Sequence, residues 1–286
     1  MPLLTADDHN ADQIAYWNGP AGDRWRARQH EQDILLAAVA DALLARAAPA
    51  PGEVVLDVGC GCGFTSIELA RRVAPGGRVL AVDISAPMLE RARERAGAEL
   101  PIEFAMADAT VHPFEPGAAH LLFSRFGVMF FAEPRKSFAN MRRGLRRGAR
   151  LVFACWREPK RNPWLMLPLE EACRHVPRLP PAGPEEPGPF AFADARRVLG
   201  ILGGAGFENI DLEPIELSLD IATGRGVDAA VETAMAVGPT SRALADQPPE
   251  LKAAAAASIR SALTRYQVGN AVLLPGAIWL VTATNP

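Results

Sequence analysis

Between residues 54 and 156 short apolar runs alternate with stretches whose apolar positions recur every three or four residues. The runs at 54–58, 78–82, 102–106, 120–124 and 149–155 read as buried strands, and the periodic stretches at 64–73, 86–96 and 134–145 read as helices. This alternation implies right-handed crossovers, a parallel sheet, and ligands held at the carboxyl ends of the strands. Upstream, residues 1–31 are polar with Tyr16, Trp17 and Trp25 clustered around Gly19-Pro20, and an Ala/Leu-rich helix from Asp33 to Ala47 is stopped by Pro49 and Pro51. Downstream of Trp156 the pattern changes. It predicts a helix over 162–176, a loop from Pro177 to Pro189 holding six prolines, and a helix over 194–205. A strand over 210–219, helical material within 227–266 and a last strand over 277–284 complete the chain.

The first strand carries the most specific chemistry. Val54-Val55-Leu56-Asp57-Val58 runs directly into Gly59-Cys60-Gly61-Cys62-Gly63, three glycines at alternate positions before the helix that opens at Phe64. Glycines here let the backbone turn sharply and approach a ligand closely. A dinucleotide fingerprint places glycines at its first, third and sixth positions, and the sixth position here is Phe64. The turn therefore suits a ligand without phosphates better than a pyrophosphate. Asp83 ends the second apolar run, twenty positions past Gly63, where an acid accepts the hydroxyl hydrogens of a ribose. The alternative for Asp83 is a helix cap, although Ser85 and Pro87 already supply that signal.

These residues are part of a longer resemblance to the class I S-adenosylmethionine-dependent methyltransferases. Similar to that family, in its order, are Leu56 to Gly63, Val82-Asp83-Ile84-Ser85 with Met88-Leu89, and Ala107-Asp108-Ala109. Phe123-Ser124-Arg125-Phe126-Gly127 and Leu145 to Leu151 follow in the same order. The nearest subgroup is the small-molecule enzymes related to the quinone C-methyltransferases. The resemblance implies a doubly wound, Rossmann-like α/β sheet, mostly parallel with an antiparallel last strand, plus helical lid insertions. It divides the chain into an N-terminal helical cap (1–48), an S-adenosylmethionine-binding core (49–156), and lid insertions with closing strands (157–286).

Roles follow from the same resemblance. Gly59, Gly61 and Gly63 bring the methionine and ribose parts of S-adenosyl-L-methionine against the turn, and Asp57 faces the α-amino group, its alternative being an acid that caps local amides. Asp83 takes the ribose, Ile84 and Met88 wall the adenine, and Asp108 with Ala109 sits at its exocyclic amine. Ser124 and Arg125 complete the cofactor set. Met88 is equally readable as helix core. Tyr16, Trp17, Trp25, Phe130 and Trp164, with Phe190 and Phe192, are the candidate walls of an apolar acceptor pocket. A general base helps only if the acceptor has a proton to lose, and His112 is the first candidate, with a surface histidine ahead of Pro113 as the alternative.

Composition removes several function classes. The net charge is −3, which gives no general attraction to nucleic acid or anionic membrane. Ser124-Arg125-Phe126 stands where amino-methylating nucleic-acid enzymes carry an Asn-Pro-Pro-Tyr type of element, and no Pro-Cys nucleophile is present. Cys60 and Cys62 are too close for a zinc knuckle and lack a second pair, so no metal is expected. The four cysteines form no disulfide framework, no apolar run reaches membrane-spanning length, and no signal pattern precedes the fold, so the expected compartment is the cytoplasm.

The reading is methyl transfer from S-adenosyl-L-methionine, leaving S-adenosyl-L-homocysteine, to a carbon or oxygen of a hydrophobic small molecule. A homodimer is compatible with the sequence and not required by it. Its rivals are an NAD(P)-dependent oxidoreductase on the same fold and a non-catalytic S-adenosylmethionine-binding partner protein.

Overall fold

The computed structural model describes residues 5–180, 183 and 185–286. Four helices lead: α1 (Ala11–Trp17), α2 (Pro20–Ala27), α3 (Gln29–Leu35) and α4 (Ala37–Ala47). The core follows as β1 (Val54–Val58), α5 (Phe64–Val73), β2 (Arg78–Asp83), α6 (Ala86–Ala96), β3 (Ile102–Met106), β4 (Ala119–Arg125), α7 (Pro134–Arg143) and β5 (Leu145–Trp156). The remainder comprises α8 (Pro163–Ala172), α9 (Ala195–Gly204), β6 (Glu208–Asp220), α10 (Val227–Ala236), α11 (Gly238–Leu244), α12 (Pro249–Leu263), β7 (Gln267–Val268) and β8 (Ala271–Thr284).

The main sheet has the order β3-β2-β1-β4-β5-β8-β6, with the short β7 pairing β8 at its far end. β1 to β5 pair in parallel, β8 inserts antiparallel between β5 and β6, and the order reverses between β1 and β4. That reversal opens a crevice at the carboxyl ends of β1 and β4, the place where open α/β sheets hold ligands. The sheet is the mostly parallel Rossmann-like architecture that the alternation of strands and helices predicts.

Burial explains why these segments fold as they do. β4 is almost wholly buried with α4 packed on it, and its centre, Leu121-Leu122-Phe123, is an uninterrupted apolar run rather than an alternating one. Phe123 and Phe153 on β4 and β5 are fully buried, and Phe153 meets Phe138 of α7 at a tilt of 35° with ring centroids 5.7 Å apart. Removing each such phenyl from water contributes roughly 1.5 to 3 kcal/mol. α4 buries Val39, Leu43, Leu44 and Ala47 and ends where Ala48 adopts φ 42°, ahead of the stop signal of Pro49 and Pro51.

Several boundaries differ from the sequence expectation. The helix predicted from Asp33 to Ala47 is two helices with an interruption at Leu36 (φ −102°, ψ 12°). The break lets α3 bury its polar Gln29, Gln32 and Asp33 away from the apolar face that α4 lays on the sheet. The helix predicted to 145 stops at Arg143, and β5 begins at Leu145, because the Asn285 side-chain amide donates to the carbonyls of Leu145 and Arg146. β8 begins at Ala271 rather than 277, running through Pro275 and Gly276 where only β6 lies beside it. A strand with an open edge tolerates the missing N–H of a proline. Residues 181, 182 and 184 of the predicted proline-rich loop, and residues 1–4 of the predicted cap, lie outside the described residues.

Candidate active site

At the carboxyl edge of β1, β2 and β4 lies a cavity of about 680 Å³, within the range that holds a small organic ligand. Its first wall is the glycine turn. Gly59 (φ 67°) packs backbone to backbone on Gly127: a Cβ at Gly59 would stand 2.5 Å from the Gly127 Cα. Gly61 (φ 56°) differs, because a Cβ there meets only the Met88 sulfur at 3.9 Å and otherwise projects into free space. The turn is thus closed against the fold at Gly59 and open toward the cavity at Gly61. Gly63 is not on the wall; it starts α5, and a Cβ there would stand 2.9 Å from the Ala92 Cβ, so its absence lets α5 and α6 approach.

Acids at the strand tips continue the wall. Asp83 is buried; its Oδ2 accepts from the Gly61 amide at 2.8 Å and its Oδ1 from the Ser85 amide at 2.9 Å. Burial raises its pKa, opposed by those amides. The helix-cap alternative and the ligand role are therefore compatible, since each carboxylate oxygen keeps a second lone pair. Ile84 and Met88 line the cavity beside it. Asp108 lines it too, but its Oδ2 is shared by the Asp7 amide (2.8 Å) and the Asn10 side-chain amide (2.8 Å), while Oδ1 accepts from the Thr110 amide (2.9 Å). The acid at the third strand tip therefore anchors the N-terminal cap. Lys136 pairs with Asp7, and Asn10 accepts from the Ala132 amide at 3.1 Å, so the cap is tied down at both ends of this network.

Three residues of the cofactor set and the base candidate are placed elsewhere than the sequence reading had them. Asp57 is fully buried and absent from the wall; its Oδ2 accepts from the hydroxyls of Thr65 (2.9 Å) and Ser66 (2.7 Å), which ties β1 to the first turn of α5. Burial pushes its pKa up to about 6. Ser124 is fully buried and donates to the Val58 carbonyl at 2.7 Å, bracing β4 on β1, and Gly63 serves helix packing as above. His112 lies off the wall with its ring edge-on to Phe114 at 4.8 Å, and burial lowers its pKa. Among the described residues no histidine or lysine lines the cavity.

The far wall is aromatic. Trp17 meets Phe130 edge-on at 5.1 Å and Trp25 at 6.1 Å, and Tyr16, Trp17, Trp25, Phe130 and Trp164 all face the cavity. Phe192 is instead packed on Phe138 and Phe153 in the core, and Phe190 is also off the wall. Sequence reasoning missed Phe126 and Trp156, stacked nearly parallel at 4.2 Å, and Val237-Gly238-Pro239 at the start of α11. It also missed Gln29, Gln32 and Asp33 of α3. The available signal for these was the polar run Gln29 to Asp33 directly ahead of the Ala/Leu-rich stretch. Arg125, from the tip of β4, lies 5.2 Å from the Phe64 ring centroid, and burial lowers its pKa against the opposing charges of Asp33 and Asp57.

The sheet order, the glycine turn and the acids at successive strand tips define a Rossmann-like methyltransferase domain, and residues 55–148 match the model of a family described as a methyltransferase domain. Over this region the chain is similar to S-adenosylmethionine-dependent methyltransferases. It is 38% identical over 112 residues to a demethylmenaquinone methyltransferase of Clavibacter sepedonicus, covering 39% of this chain and 44% of that protein. It is 29% identical over 180 residues to a ubiquinone/menaquinone biosynthesis C-methyltransferase of Ruegeria sp. (strain TM1040), covering 59% and 72%. The structure of geranyl diphosphate C-methyltransferase from Streptomyces coelicolor A3(2) shares the fold, with a TM-score of 0.52, 18% identity and coverage of 99% and 100%. Across three of the curated relatives the match spans 32% to 49% of their length. Among the described residues no helix is long and apolar enough to cross a membrane.

Proposed function

We propose that the protein transfers the methyl group of S-adenosyl-L-methionine to a carbon or oxygen of a hydrophobic small molecule. The observation that carries this is one continuous cavity whose near wall is the glycine turn with Asp83 and whose far wall is aromatic. The residues present fit the donor: Gly61 leaves open the space a side chain would fill, and the buried Arg125 Nη1 has no partner.

In this reading Asp83 accepts from the ribose hydroxyls, Ile84 and Met88 wall the adenine, and Asp108 accepts from its amine through the remaining capacity of Oδ1. When bound, the donor supplies an electrophilic methyl group on a sulfonium. The chain's own contribution is alignment and dryness: Phe126, Phe130, Trp156 and Trp164 hold a flat apolar acceptor in place and keep water out. With no histidine or lysine on the described wall, the acceptor that suits this site has a nucleophilic atom that does not depend on a strong protein base.

The experiment is transfer of a labelled methyl group from the donor into solvent-extractable product, using a panel of flat hydrophobic phenols and enols. Label in extractable product supports the reading. A protein that binds the donor yet labels nothing in the panel or in an extract of the source cells contradicts it.

A further inference from the structure

We propose that Trp164 is the stop that sets how long an acceptor the cavity takes, which deepens the acceptor reading above and rests on it. The sheet order separates the two ends of the cavity. The glycine turn leaves the tip of β1, whereas Trp164 packs on Trp156 at the end of β5, with ring centroids 5.0 Å apart, and beside Gly276 of β8. β1 and β8 are three strand spacings apart, about 14 Å. Trp164 therefore stands at the end remote from the donor, beyond the stacked pair Phe126 and Trp156.

Behind Trp164 lies a second cavity, of about 10 Å³. Trp164, Leu165 and Val237 line both cavities, so these three side chains are the partition between them. The second cavity has room for about one water and for no organic group. Its remaining walls, Ile221, Thr233, Ala234 and Thr240, are all buried. An opening in the partition therefore lengthens the main cavity into the helical insertion rather than into solvent.

The chain reserves space for this partition. A Cβ at Gly276 would stand 3.2 Å from the Trp164 Cδ1, and one at Gly238 would stand 2.6 Å from the Leu165 Cδ2, so bare backbone seats both side chains. Trp164 is 6% exposed, and its buried indole N–H donates to nothing among the described residues. Buried indoles usually find a partner, and a phenyl ring in this place would carry no such cost. What tryptophan adds here is breadth, the property a stop requires.

The test is fluorescence titration of the full chain, Trp164→Phe and Trp164→Ala, each saturated with S-adenosyl-L-homocysteine, with 2-naphthol and with 2-hydroxyanthracene, which is one fused ring longer. An indole is larger than a benzene ring, and benzene fits a cavity on the order of 150 Å³, so Trp164→Ala should admit the further ring. The expected result is that the affinity for 2-hydroxyanthracene relative to 2-naphthol rises at least about tenfold over wild type in Trp164→Ala and by less in Trp164→Phe, with S-adenosyl-L-homocysteine within about twofold of wild type throughout. A Trp164→Ala chain that binds S-adenosyl-L-homocysteine like wild type yet keeps the wild-type ratio of the two probes, or binds neither, overturns the proposal. A folded variant that loses S-adenosyl-L-homocysteine affinity places Trp164 in the donor site and overturns it as well. If Trp164→Ala does not fold, an unchanged ratio in Trp164→Phe is the contrary result. Failure of the wild-type chain to bind S-adenosyl-L-homocysteine contradicts the donor reading itself, which separates the two.

Discussion

Replacing Gly61 by alanine separates ligand binding from folding at one methyl group. The structure has two kinds of glycine in the same turn: a Cβ at Gly59 would stand 2.5 Å from the Gly127 Cα, whereas a Cβ at Gly61 meets only the Met88 sulfur at 3.9 Å. The strain of alanine at φ 56° costs about 1 to 2 kcal/mol, which for a chain of 286 residues lowers Tm by about 2 to 4 °C. The added methyl enters the space against which the donor lies, and overpacking of this kind costs about 1 to 3 kcal/mol, an affinity loss of about 5- to 150-fold. Gly61→Ala is therefore expected to fold, melt a few degrees lower and bind S-adenosyl-L-homocysteine at least about fivefold more weakly. Gly59→Ala, forced against backbone, is expected to lose most of its folded yield. The assays are a thermal melt and a calorimetric titration on each purified variant. Gly61→Ala binding S-adenosyl-L-homocysteine with wild-type affinity would refute the assignment of this open face to the donor.

Three further outcomes follow from the same geometry. Because burial raises Asp57 to about 6 from its ordinary 3.8, the folded state holds the proton more tightly than the unfolded chain. That contribution is present below about pH 4 and lost as pH rises through about 6, at most about 3 kcal/mol, so melts of Asp57→Asn should show a flatter pH dependence over that window than wild type. Asn10→Ala removes the side-chain hydrogen bonds to Asp108, Thr110 and the Ala132 amide, about 2 to 3 kcal/mol of cap closure, and limited proteolysis should cleave within residues 5–35 several-fold faster. His112→Ala should leave methyl-transfer turnover within about threefold of wild type, since the ring lies off the cavity; a loss of the about 100-fold expected for a general base would return it to the mechanism.

The core of the fold was legible because its signals are local. β1, α5, β2 and α6 follow from apolar periodicity, glycine punctuation and the cap at Ser85, and their ends fall within a residue or two of the sequence reading. Gly61, Asp83 and Met88 were legible as cavity residues because strand tips meet at one edge whatever the rest of the chain does. What escaped depends on distant partners. Nothing local to Asp57 says that its carboxylate turns to Thr65 and Ser66, and nothing local to Asp108 says that Asp7 and Asn10, about a hundred residues earlier, take its Oδ2. The early start of β8 escaped for the same reason: Pro275 and Gly276 look like a turn, and only pairing with Leu217 and Ser218 of β6 makes them strand. Trp156 and Phe126 read as the end of one strand and the start of a loop, and their stacking exists only because β4 and β5 are neighbours.

The central claim is that this cavity holds the sulfonium donor at the glycine turn. Calorimetric titration of the purified chain with S-adenosyl-L-homocysteine, with NAD as the control, tests it most directly. The account predicts saturable binding at a single site for S-adenosyl-L-homocysteine and no heat from NAD. Binding of NAD with no binding of S-adenosyl-L-homocysteine would contradict it.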